Sequence, residues 1–199
     1  MPFTRKITGQ LTFHTALCFF MTTTYCFAEQ KIAPVEISGE SFRCIKEMAL
    51  AGRVYVDNIS GDLESTLAVA NSKTGGTYPP GSVVQLFPNE AMVKHEAGFN
   101  PITKDWEFFE LDVDKNGTTI RKRGFQDVKN RFDGNCFACH VAAEAKWDMI
   151  CGSGHGCEAL PVNDLAILAL QNTDPRCKVE DITFKHRVTA WLIKLFTPL

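Results

Sequence analysis

The sequence predicts an α+β fold: an antiparallel β-sheet packed with N- and C-terminal helices. Three observations predict it. Four short β-prone runs follow one another between Val83 and Ile120. Asn116-Gly117 separates the last two, a strong hairpin signal because both residues tolerate positive φ. Helical spacings flank the strands, with Phe42, Ile45, Met48 and Ala49 before them and Phe184, Val188, Trp191, Leu192, Leu195 and Phe196 after them.

In chain order, residues 1–28 read as a secretory signal. Arg5 and Lys6 open it, Leu11 to Phe27 is mostly apolar, and Cys26-Phe27-Ala28 predicts cleavage near Ala28, before Glu29. Threonines and His14 dilute the apolar stretch, against an uncleaved span. Taking 28 from 199 residues leaves 171, the length of one domain over 29–199. The chain carries −2, and losing the leader's two positive charges leaves −4, which argues against a nucleic-acid partner. Residues 29–37 look extended, and a helix then runs from Ser38 or Glu40 to Gly52. Val54-Tyr55-Val56 is β-prone, and residues 57–80 read mostly as loop.

The strands follow: Val83 to Phe87, Ala91 to His95, Trp106 to Val113, and Thr118 onward. Asp112, Asp114, Asn116 and Gly117 imitate the first half of an EF-hand loop. The twelfth position holds Arg123 where a bidentate Glu is needed, so the turn reading stands. Val141 to Met149 can continue a helix, residues 151–157 are loop, and Pro161 to Gln171 is helical until Asp174-Pro175. The stripe of the last helix fits either packing on the domain or a membrane surface, with Lys185, Arg187 and Lys194 outside it.

The chemistry centres on Cys136-Phe137-Ala138-Cys139-His140. This is C-x-x-C-H, the attachment signature of a covalent c-type haem. Two thiols three residues apart on one turn can each add to a haem vinyl group, and the next residue offers its imidazole to the iron. Two other readings compete. A thioredoxin-like pair lacks a βαβ pattern around it, and a zinc site needs a second pair, for which Cys151, Cys157 and His155 are the candidates. Four further cysteines remain in 29–199: Cys44, Cys151, Cys157 and Cys177. An even number in an exported chain suggests two disulfides, with three connectivities open. Cys151–Cys157 would close a short Gly-rich loop, leaving Cys44–Cys177. Export to the periplasm or beyond agrees with both haem attachment and disulfides.

A haem names a cofactor, and the sixth iron ligand decides what it does. His95, His155, His186, Met48, Met92 and Met149 are the candidates. Met149 lies close behind His140 in sequence, so His95 and Met92 on the β-run remain for a six-coordinate electron carrier. Arg121, Arg123 and Arg131 could meet haem propionates.

From Tyr78-Pro-Pro-Gly-Ser-Val-Val, through Trp106-Glu-Phe-Phe, to Cys136-Phe-Ala-Cys-His140, the arrangement resembles the cytochrome P-460 and cytochrome c′-beta family. The resemblance implies an antiparallel sheet packed on helices and a haem with an open or labile distal side that binds or converts nitric oxide or hydroxylamine. Some members of that family oxidise hydroxylamine with a lysine cross-linked to the haem edge, and Lys94 is the strand lysine to test for that role. The resemblance also admits a homodimer and a redox partner protein. The long segment after the haem motif, with Cys151, Cys157 and Cys177, departs from the family pattern and suggests a further alternative, a haem-stapled interaction protein.

Overall fold

The computed structural model describes Met1, residues 36–178 and residues 183–196, without the side chains of positions 194 and 196. The expected leader therefore lies almost wholly outside the described residues. The described residues from 36 onward belong to one compact unit. No helix among the described residues is long and apolar enough to cross a membrane.

Six strands form one antiparallel sheet in chain order: β1 (Ala49–Ala51), β2 (Val54–Asn58), β3 (Ser82–Gln85), β4 (Glu90–Lys94), β5 (Trp106–Asp114) and β6 (Gly117–Gly124). Among the described residues four α-helices accompany them: α1 (Leu63–Ala70), α2 (Cys136–His140), α3 (Asp164–Asn172) and α4 (Phe184–Phe196). The α+β class and the hairpin at Asn116-Gly117 are as expected. Asp114 pairs with Gly117, and the Asp114 carboxylate accepts the Asn116 backbone N–H at 2.6 Å, so that side chain serves the turn.

The period-2 strand pattern gives the sheet two apolar faces. On one, Val56, Val84, Met92 and Phe108 stand directly opposite one another across four strands and pack with Trp106, Tyr78, Met149 and Ile150. On the other, Val83, Ala91, Val93, Phe109 and Leu111 pack against Ile37, Phe42, Ile45 and Met48. A third cluster joins Phe87 to α3 and α4 through Ile167, Leu170 and Ala190.

Three expectations are corrected. The helix expected from Ser38 or Glu40 to Gly52 is two 3-10 turns, Gly39–Ser41 and Ile45–Glu47, followed by β1. Partners from distant segments claim its backbone: the Phe42 carbonyl accepts from Thr118 and Arg176, and the Ile45 N–H donates to buried Asp174. Gly52, at φ +62°, makes the β1–β2 turn. Second, residues 57–80 are mostly loop as expected but also hold α1, capped by the Asp62 side chain accepting from the Ser65 N–H. Third, the helix expected over Val141 to Met149 stops at His140: the Glu144 N–H is taken by the His155 carbonyl, a 3-10 turn covers Ala145–Trp147, and Asp148 and Met149 follow in the left-handed conformation at φ 48° and 66°.

Candidate haem site

The sequence builds α2 with a cap at each step. Asn130 folds the preceding loop, its side-chain oxygen accepting from the Phe132 and Gly134 N–H groups. Asn135 then caps the helix by accepting from the Ala138 N–H at 2.8 Å. The Cys136 N–H donates to the Val128 carbonyl, tying the turn to the sheet side. Phe137 packs edge-on against Phe108 and Phe125, and Phe108 lies 5.4 Å from the His140 ring.

Cys136, Cys139 and His140 line one cleft of about 340 Å³. Apolar walls come from Val84, Met92 and Phe108 of the sheet and from Ile150, Leu160 and Val162 beyond α2. Among the described lining residues, Arg53 and Glu90 are the charged side chains on the sheet side, and Asn130, Ser153 and Glu158 add polar groups elsewhere in the lining.

Both thiols are free, while the other four described cysteines are bonded as Cys44–Cys177 and Cys151–Cys157. The favoured connectivity is therefore the one present. Closing the 133-residue span between Cys44 and Cys177 stabilises the fold by roughly 5 kcal/mol in the loop-entropy view. The Cys151–Cys157 bond also removes the zinc alternative, because oxidised sulfurs cannot serve as thiolate ligands. Burial pushes the Cys136 thiol far up, with the Glu90 and Glu110 carboxylates adding to it, and burial raises Cys139 as well. A redox C-x-x-C works through a stabilised thiolate, so this pair is unsuited to that chemistry.

His140 is held in one orientation. Its Nδ1 lies 2.7 Å from the Met149 carbonyl, which can only accept, so Nδ1 carries the proton and Nε2 keeps its lone pair. Burial lowers the His140 pKa, favouring the neutral ring that a metal needs.

Lys94 does not line this cleft. Its Nζ donates to both Asp148 carboxylate oxygens, at 2.9 and 3.0 Å, and to the Lys104 carbonyl at 2.7 Å, with Trp106 beneath it. Asp148 also accepts from the Tyr78 N–H, and its own carbonyl accepts from the Trp106 indole N–H. This buried cluster sets the strained backbone of Asp148 and Met149 and hence the carbonyl that holds His140. Burial, and then the Asp148 charge, push the Tyr78 hydroxyl up to about 12.

The two distal candidates separate. Met92 lines the cleft, whereas His95 faces the other side of the sheet, bonded to Glu107 at 2.8 Å and stacked on Phe99. His155 is stacked on Trp147 with Nδ1 on the Ile150 carbonyl, and His186 meets Asn172. Of the three arginines, Arg123 binds Glu107 and Arg121 binds Glu110. Arg131 is different. It is buried over Phe87, and its Nε and Nη2 meet no acceptor among the described residues. Its backbone N–H donates to Glu90, which, like Phe87, lines the cleft.

The donor set fits a covalently attached haem: two free thiols one turn apart, one oriented imidazole, apolar walls and an orphaned guanidinium next to the wall suited to a carboxylate. Sequence pattern offers Met149 only as an iron-ligand candidate, not as the carbonyl that orients His140, and gives no sign of Asp148. Their signal is faint, since an Asp before a Met in a short loop has no distinctive spacing.

Comparison of the chain with family models, curated proteins and solved structures finds no match in any of the three.

Proposed function

We propose that this protein is an exported monohaem c-type cytochrome, with the haem joined through Cys136 and Cys139 and His140 as the proximal ligand. Its open or labile distal side takes small nitrogen ligands such as nitric oxide or hydroxylamine. The observation that carries the reading is that both free thiols and the Nε2-presenting His140 share one cleft, while every other described cysteine is oxidised. The bound haem supplies a redox-active iron with an affinity for small ligands. The chain's own residues do the rest. The Met149 carbonyl fixes the imidazole, and Val84, Met92 and Phe108 exclude water from the cleft. Arg131 offers two unmet donors to a carboxylate.

This keeps the likeness to the cytochrome P-460 and cytochrome c′-beta family as part of the proposal. Within it, ligand binding is favoured over hydroxylamine oxidation, because Lys94 is committed to Asp148 and lies outside the cleft lining. A second reading has one observation behind it: Met92 lines the cleft, as an axial ligand of an electron carrier would.

The test is the optical spectrum of the exported protein, alone and with nitric oxide or hydroxylamine. A high-spin spectrum that shifts with nitric oxide is expected. A low-spin spectrum unresponsive to nitric oxide, turned high-spin by Met92→Ala, would establish the electron carrier instead. Peptide mapping is expected to return an unmodified Lys94 peptide.

A further inference from the structure

Helix α4 packs on α3 through a narrow strip. Ala190 is buried against Ile167, Ala169 and Leu170, Ile193 is partly buried beside it, and His186 reaches Asn172. The remainder of its apolar content faces outward. Phe184 is 82% exposed, Trp191 60%, Leu195 57%, and Leu192 and Val188 are also open to solvent. At about 100° per residue these five positions occupy one arc of roughly 100°, on the side of the helix away from Ala190 and Ile193. Lys185 and Arg187, both exposed, fall on the two opposite flanks of that arc.

Flanking cations also border core-facing stripes, but this stripe is open to solvent instead of packed on the body. An exposed arc of this make-up suits a lipid interface: the apolar arc enters the acyl boundary while flanking Lys and Arg reach the headgroups, and Trp favours that boundary. Charge separates α4 from the body in the same sense. Residues 183–199 hold three cations and no acidic side chain, whereas residues 29–182, with 16 Lys and Arg against 23 Asp and Glu, carry −7. An acidic body turns away from an anionic bilayer while this segment is drawn to it.

We propose that α4 docks the protein on an anionic phospholipid surface, lying in the interface plane through Phe184, Val188, Trp191, Leu192 and Leu195. The inference is independent of the haem reading. It brings the cleft to a membrane without any spanning helix among the described residues.

Flotation of the full chain with unilamellar vesicles tests it. Vesicles containing phosphatidylglycerol should carry the protein upward, and pure phosphatidylcholine should carry about tenfold less, with the difference falling as salt is raised. Trp191→Ser with Leu195→Ser should lower partitioning by more than about tenfold, since both side chains lie in the proposed lipid contact. Lys185→Glu with Arg187→Glu should abolish the preference for phosphatidylglycerol. These side chains are exposed, so circular dichroism should show an unchanged fold, and repeating the series on the exported protein, cleaved before Glu29, separates α4 from the apolar segment 1–28. Equal flotation of wild type and both variants would overturn the proposal. So would failure of the wild type to float at low salt. A dimer that Trp191→Ser converts to monomer, with no flotation, would overturn it in favour of a second copy on this face.

Discussion

The two faces of the sheet are built from the same alternating pattern but end differently. On the Phe109 face, apolar side chains meet Phe42 and Ile45, and Thr118, Arg176, Asp174 and the Cys44–Cys177 bond pin that covering segment in place. On the Met92 face, an equally regular row of Val56, Val84, Met92 and Phe108 is buried too, with Tyr78, Met149 and Ile150 packed on it, but Val84, Met92 and Phe108 also line a cleft. The Gly-rich Cys151–Cys157 loop lines the same cleft, beside Cys136, Cys139 and His140. The cleft is therefore not a failure of strand patterning. One face is wholly closed by an anchored apolar segment, whereas part of the other borders the Gly-rich loop closed by a short disulfide.

That contrast can be broken or sharpened by substitution. The largest effect belongs to the filled face: Phe109→Ala should cost about 4 kcal/mol in denaturant unfolding, whereas Met92→Ala, already bordering space, should cost about 2 kcal/mol. Equal costs would mean that the cleft side is as tightly packed as the other. Asp148→Asn should cost about 3 kcal/mol by leaving the Lys94 ammonium buried without its partner. The same change should disturb the alignment of His140 through Met149, seen as a shifted axial-histidine signal in resonance Raman spectra.

The smallest effect is a difference in pH response between the two faces. On the cleft face, burial pushes the Glu90 carboxyl from 4.5 up to about 7, against the Arg131 N–H and charge that pull it down. The folded state then holds this proton longer than the unfolded chain, so Glu90 lowers stability progressively as pH rises from about 4.5 to about 7. On the filled face, burial alone would raise Glu107, but hydrogen bonds from His95 and Arg123 and their charges outweigh it and hold the carboxyl low. Its contribution is present above the ordinary Glu range and lost as pH falls through its folded value. Glu90→Gln should flatten the decline in melting temperature between pH 5 and 7, and Glu107→Gln should leave that decline in place. A decline unchanged in Glu90→Gln would refute the assignment.

The strands were legible because alternation and the Asn116-Gly117 turn are local signals, and β3 to β6 fall where they were expected. The C-x-x-C-H turn and both disulfide pairings were also readable from spacing and count. The first segment was misread as a helix because its 3.6-residue pattern is overridden by partners more than 70 residues away, Thr118, Asp174 and Arg176. α1 was missed because Asp62 as a cap is quiet among glycines and serines. Lys94 could not be placed from sequence, since its partner Asp148 is 54 residues distant and belongs to no motif.

The central claim is the covalent attachment of haem to Cys136 and Cys139. The direct measurement is the intact mass, under denaturing conditions, of protein exported from a host with a working cytochrome c maturation system. The account predicts a mass raised by one haem that survives denaturation and is lost in the Cys136→Ser, Cys139→Ser double variant. A colourless wild-type chain at its apoprotein mass, with both thiols free, would contradict it.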